Sequence, residues 1–148
     1  MIIWVNGCFD VLHRGHFELL NYARSLGSML IVGIDTDRKV RADKGPDRPI
    51  YPLEDRKYQL SSLKAVDVIH TFDSRQELEE LIKIINPDIL VVGSDWKNGD
   101  VVGREYAKRV EFFDRIGEYS TTKTIQGHRY RRDLYRQLRL WQVYKVKS

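Results

Sequence analysis

Across 148 residues the chain has one cysteine, Cys8, so no internal disulfide can form, which agrees with a reducing cytosol. Long apolar stretches are missing as well. No uninterrupted apolar run exceeds the five residues Met1 to Val5, far short of the roughly 20 that a membrane helix needs. That opening run lacks the basic segment of a secretory leader, and the expectation is a soluble cytoplasmic domain. Proline is scarce, and three of the four prolines, Pro46, Pro49 and Pro52, crowd into one stretch. What is present is ample core material, with 42% hydrophobic residues, enough for one compact domain.

The net charge of +4 invites a nucleic-acid reading until it is located. Residues 1–123 hold 18 basic and 20 acidic side chains, net −2, whereas residues 124–148 hold 7 and 1, net +6. The positive balance therefore belongs to the tail.

Short β-branched runs alternate with amphipathic segments, the pattern of β-α-β units around a parallel sheet. Ile2 to Val5 reads as a first strand. Phe17 to Ser25 reads as a helix, with Phe17, Leu19, Leu20, Ala23 and Leu26 at helical spacing, and Met29 to Ile34 as a second strand. The polar, proline-bearing stretch from Asp35 to Pro52 reads as a long exposed loop, of a kind that is functional or mobile in small domains. A helix from Leu53 to Leu63 and a strand from Val66 to Ile69 follow. Ser74 and Glu77 have capping-box spacing and open a helix that stops at Asn86-Pro87, before a strand from Ile89 to Val92. Arg104 to Arg109 reads as helical and Val110 to Phe113 as a last strand.

The stretch Gly7-Cys8-Phe9-Asp10-Val11-Leu12-His13-Arg14-Gly15-His16 joins strand one to its helix. In a parallel α/β sheet that is the carboxyl edge, where a helix N-terminus offers free N–H groups to phosphate. His13 and His16, three apart, can face one side of the first turn, and Gly15 leaves the backbone open to close approach. Two donors there suit the charge that builds on a phosphoryl oxygen during displacement at phosphorus. Two plainer readings stand beside this one: ordinary surface histidines, and a zinc site from Cys8, His13 and His16 with His70 or His128, although no second close pair of ligands accompanies them.

These residues resemble the signature of the cytidylyltransferase-like nucleotidyltransferases, a superfamily that includes glycerol-3-phosphate cytidylyltransferase and the adenylyltransferase domain of ADP-heptose synthase. The resemblance covers about residues 2–126. It implies a Rossmann-like parallel sheet with helices on both faces, of the His-x-Gly-His nucleotidyltransferase type. Asp43-Lys44-Gly45-Pro46-Asp47-Arg48-Pro49 with Glu54-Asp55-Arg56 resembles the lysine loop and Glu-x-Arg helix of ADP-heptose synthases. By that similarity Lys44 contacts substrate phosphates and Arg56 supports the site; as plain residues, Lys44 is a solvated loop lysine and Arg56 half of a helix-surface ion pair. Gly93-Ser94-Asp95-Trp96 resembles the corresponding turn of glycerol-3-phosphate cytidylyltransferases, while Val102-Gly103-Arg104-Glu105 is closer to ADP-heptose synthases. Trp96 otherwise reads as core or rim packing. Arg115-Ile116-Gly117-Glu118-Tyr119-Ser120-Thr121-Thr122-Lys123 resembles the nucleotide-phosphate element, although Gly117-Glu118 departs from the Glu-Gly of the cytidylyltransferases. Its hydroxyls could equally cap a helix.

The resemblance thus implies an enzyme that transfers a nucleotidyl group from a nucleoside triphosphate to a polyol or sugar phosphate and releases pyrophosphate. Its catalytic residues would be His13, His16 and Lys44. Cys8, Phe9, Gly15, Arg115, Ser120, Thr121 and Thr122 would bind nucleotide, and Asp10, Arg56, Asp95 and Trp96 would contact or support substrate. Mg²⁺ would come through the nucleotide phosphates rather than a carboxylate cage. Arg115 and Trp96 favour CTP, with glycerol 3-phosphate as acceptor; ATP with a heptose 1-phosphate-like sugar is the alternative, and a non-catalytic nucleotide-binding module a further one. Family members commonly form homodimers. Residues 127–148 form a separate basic extension, with Tyr130, Leu134, Leu138 and Trp141 on one helical face. It is expected to pack on the domain or on a dimer partner, with nucleic-acid or membrane contact the less favoured role.

Overall fold

The computed structural model describes residues 1–114 and 120–125, the side chain of Trp96 excepted. Arg115 and the basic extension 127–148 lie outside the described residues.

Five parallel strands form one sheet in the order β3-β2-β1-β4-β5: β1 Ile2–Gly7, β2 Met29–Asp35, β3 Val68–Phe72, β4 Ile89–Gly93 and β5 Arg109–Phe113. Trp4 of β1 aligns with Ile31 on one side and Leu90 on the other. The central strands are apolar nearly throughout because helices cover both faces, as in parallel sheets generally. On one face Ile3, Val5, Leu30, Val32 and Ile34 pack with Leu20 and Ala23 of α1 (Arg14–Ser25) and Leu60 of α3 (Leu53–Ser61). On the other face Trp4, Ile31 and Leu90 meet Leu78 and Ile82 of α4 (Arg75–Ile85). The Trp4 indole lies so close over Gly33 that a Cβ there would sit 2.4 Å from its Cζ2, so no side chain fits at that position.

Three segments differ from the sequence reading. Asp35 to Pro52 is not one long loop: Asp37–Lys44 forms a helix, α2, capped by Thr36, whose hydroxyl accepts from the Lys39 N–H at 3.3 Å. Val40 is its one buried residue, so no apolar periodicity announced it. Strand β3 runs from Val68 to Phe72 rather than from Val66 to Ile69, since Asp67 just before it accepts the Leu30 N–H at 2.8 Å through its side chain. Arg104 to Arg109 yields only a 3-10 turn, Arg104–Tyr106, entered through the left-handed Gly103 (φ 82°). The cap at Ser74 and the left-handed stop at Asn86 of α4 agree with the sequence.

Candidate active site

The sheet order reverses between β1 and β4, and ligands of open α/β sheets bind in the crevice at such a switch point, beyond the strand carboxyl ends. The loop leaving β1 there is strained. Phe9 and Val11 both have φ 49°, a left-handed conformation that is costly for a β-branched valine.

His13 ends this loop as the N-cap of α1. Its Nδ1 accepts the Gly15 N–H at 3.1 Å, and its own N–H donates to His16 Nδ1 at 3.1 Å, closing a capping box built from two histidines. With its Nδ1 used as an acceptor, a neutral His16 ring carries its proton on Nε2. The rings stack with centroids 3.9 Å apart, and Phe9 lies 5.6 Å from His16. Burial first, then His13 and Lys44, against the opposing pull of Asp10, push His16 down to about 4, so it is neutral at physiological pH. Thus the His-x-Gly-His spacing fixes two imidazoles at the start of α1, His16 among them neutral, with the Gly15 amide spent on holding His13.

Lys44, the last residue of α2, precedes Gly45 (φ 101°), and its charge acts on Cys8, Asp35 and His16. Lys44 thus lies within electrostatic reach of His16. Burial raises the Cys8 thiol and the Asp35 carboxyl above their usual ranges.

Arg56 is no surface ion-pair residue, because it has no exposed area at all. Its Nη1 donates to the carbonyls of Cys8 (2.9 Å) and Asp35 (2.8 Å), its Nε to the Tyr51 carbonyl (3.0 Å), and its Nη2 to Asp37 Oδ1 (2.7 Å). One guanidinium thereby ties together the ends of β1 and β2, the start of α2 and the entry to α3. Asp10, 1% exposed, accepts the Ile50 and Tyr51 N–H groups at 2.7 and 2.9 Å and faces Arg48 Nε at 3.4 Å. Both residues support the site from beneath. Sequence reasoning passed over Arg48 and the Tyr51 backbone, whose part depends on tertiary contacts that no spacing encodes.

Residues 121–125 are helical. Ser120 Oγ accepts the Lys123 N–H at 3.0 Å, and the Thr121 hydroxyl donates to the Asp10 carbonyl at 2.7 Å. Thr122 is exposed. The Ser-Thr-Thr run therefore meets the β1–α1 loop through Thr121, with two of its three hydroxyls engaged within the protein. Ser94–Trp96 forms a 3-10 turn after β4, and Asp95 in it is exposed. Among the described residues no group of three or more His, Cys, Asp and Glu could hold a metal ion, which removes the zinc reading with His70; His128 lies outside them. Each Asp10 carboxylate oxygen accepts a backbone N–H. Beside the loop, a cleft of about 430 Å³ is lined by Val11, Leu12, Phe17, Tyr51, Tyr58 and Leu63 without a charged side chain, so it is not where phosphate would bind. No helix among the described residues is long and apolar enough to cross a membrane.

A switch-point crevice, a two-histidine cap and a hydroxyl-led helix define a Rossmann-like nucleotidyltransferase fold, and the chain belongs to the cytidylyltransferase-like family, whose model matches residues 4–133. It is 48% identical over 128 residues to the bifunctional protein HldE of a Nitratiruptor species, covering 86% of this chain and 28% of that protein. HldE of Helicobacter hepaticus is 47% identical over 126 residues, covering 85% and 26%. The chain thus spans about a quarter of the length of these relatives. Among solved structures, the lipopolysaccharide core biosynthesis protein of Thermoplasma volcanium superposes with a TM-score of 0.62 at 25% identity, over 81% of this chain and 98% of that one.

Proposed function

We propose that the chain transfers AMP from ATP to a heptose phosphate. An oxygen of the sugar phosphate attacks the α-phosphorus in line. The bond from that phosphorus to the α,β-bridging oxygen breaks, and pyrophosphate leaves with the electron pair. No covalent enzyme intermediate is needed; positioning and stabilisation of developing charge carry the reaction.

The observation that carries this reading is the pair of imidazoles in ring contact, each with its Nδ1 tied to a backbone N–H. A neutral donor whose orientation is fixed before substrate arrives can meet charge on the α-phosphate without reorganising. Lys44 would bind phosphates of both substrates, and the first-turn amides and Thr122 of the 121–125 helix would hold the β,γ end. Mg²⁺ enters with the triphosphate and neutralises part of its charge.

ATP and a heptose acceptor are favoured by the resemblance of residues 43–56 to ADP-heptose synthases, together with relatives that are bifunctional HldE proteins. The lipopolysaccharide core protein of Thermoplasma volcanium points to the same sugar chemistry. This displaces the sequence-based preference for CTP and glycerol 3-phosphate, which rested on Arg115, outside the described residues, and on the Ser94–Trp96 turn after β4. That turn keeps cytidylyl transfer as the second reading. Replacing His16 by Ala should lower pyrophosphate release by two orders of magnitude or more, with circular dichroism unchanged; near-normal turnover would contradict the mechanism.

A further inference from the structure

Three segments that the proposed reaction needs meet at one residue. The side chain of Asp10 binds the loop that follows Lys44: Oδ2 accepts the Ile50 N–H (2.7 Å) and faces Arg48 Nε (3.4 Å), and Oδ1 accepts the Tyr51 N–H (2.9 Å). Its carbonyl accepts the Thr121 hydroxyl (2.7 Å) from the helix at 121–125. Its own position in the chain lies between the two left-handed residues Phe9 and Val11, in the loop that leads to His13.

We propose that Asp10 is the positioning residue through which nucleotide bound at the 121–125 helix tightens the Lys44 loop around the acceptor. The inference rests on the nucleotidyl-transfer reading above. A left-handed valine persists only where its surroundings hold it from more than one side, and here one side is the loop at 48–51 and the other is Thr121. An anion at a helix N-terminus stabilises that helix and its placement. A seated helix presents the Thr121 hydroxyl to the Asp10 carbonyl, which fixes the carboxylate that receives the Ile50 and Tyr51 amides. Tyr51 is gripped from its other end by Arg56, on its carbonyl at 3.0 Å. A turn from Arg48 N–H to the Gly45 carbonyl (3.3 Å) links this stretch to Lys44. Binding at one substrate site is thereby coupled to order at the other, and the coupling is reciprocal.

Amide hydrogen exchange reads this without knowledge of the acceptor. Pro46, Pro49 and Pro52 carry no N–H, so the reporting amides in that stretch are few, and Ile50 and Tyr51 are the two bound to Asp10. Saturating Mg-ATP, with binding established separately by calorimetry, should slow their exchange by about threefold or more. Thr121→Val, which keeps the side-chain shape and removes the donor, should lose that slowing even at ATP concentrations that calorimetry shows to saturate the variant; Thr121→Ser should restore it. Asp10→Asn, which puts an amide N–H against a backbone donor, should exchange fast in this stretch with or without ATP. Nucleotide binding without slowing in the wild type, or full slowing in Thr121→Val, would overturn the coupling and leave the proposed reaction standing. Absence of binding to any nucleoside triphosphate would overturn both.

Discussion

Arg56 shows what a single residue does here and why its part was hidden. Glu54-Asp55-Arg56 at a helix start reads as surface charge, because helical spacing does not tell which way a helix is turned relative to a sheet edge. In the fold Arg56 is buried, with four acceptors on its guanidinium, which is the condition under which a buried cation is tolerated. A lysine cannot span those acceptors, since its ammonium is a compact point charge rather than a fork. Arg56→Lys should therefore cost about 3 kcal/mol or more in urea unfolding, whereas a loss under about 1 kcal/mol would contradict the clamp. His16 supplies a second prediction. Its proton affinity is depressed in the fold, to about 4 from 6.5, so the unfolded chain binds the proton more readily. The stability linked to His16 is complete above about pH 6.5, is lost as pH falls from there toward 4, and is constant below. The span is up to roughly 3 kcal/mol. His16→Gln should flatten the fall of the melting midpoint between about pH 6.5 and 5; an unchanged slope would place the titration elsewhere.

At the level of elements, what the sequence disclosed depended on how much apolar surface each element buries. The strands and α4 were legible because Leu78 and Ile82 recur at helical spacing behind a serine cap. Helix α2 buries only Val40 and left only the Thr36 cap as a signal, which prolines downstream obscured. The motif Gly7 to His16 located the site, but that His13 and His16 cap each other's helix start emerges only from the φ values of the loop that delivers them. The face of the sheet that carries α1 and α3 ends at β5, where Phe113 and Tyr22 meet at 5.2 Å and both remain partly exposed. The extension that carries Tyr130, Leu134, Leu138 and Trp141 lies outside the described residues. Truncation after Gln126 should lower the calorimetric midpoint by several degrees; an unchanged midpoint and oligomeric state would leave the extension without a packing role.

For the whole molecule, the scarcity of cysteine and of long apolar runs bounded the class, and alternation of strand and helix gave the parallel sheet. The basic balance did not bear on the proposed site, because it belongs to residues 124–148, while Lys44, His13, His16 and helix N-termini would supply that site's affinity for anions. Base and acceptor were the least legible. The residues that favoured CTP, Arg115 and Trp96, are those whose side chains the structure does not describe, and the relatives at 47 and 48% identity are bifunctional HldE proteins. The most direct test of nucleotidyl transfer is pyrophosphate release with each of the four nucleoside triphosphates against heptose 1-phosphate and glycerol 3-phosphate. Release with ATP and heptose 1-phosphate, at least about a hundredfold above the other pairs, is the expected result, whereas release confined to CTP and glycerol 3-phosphate, or none with any pair, would contradict it.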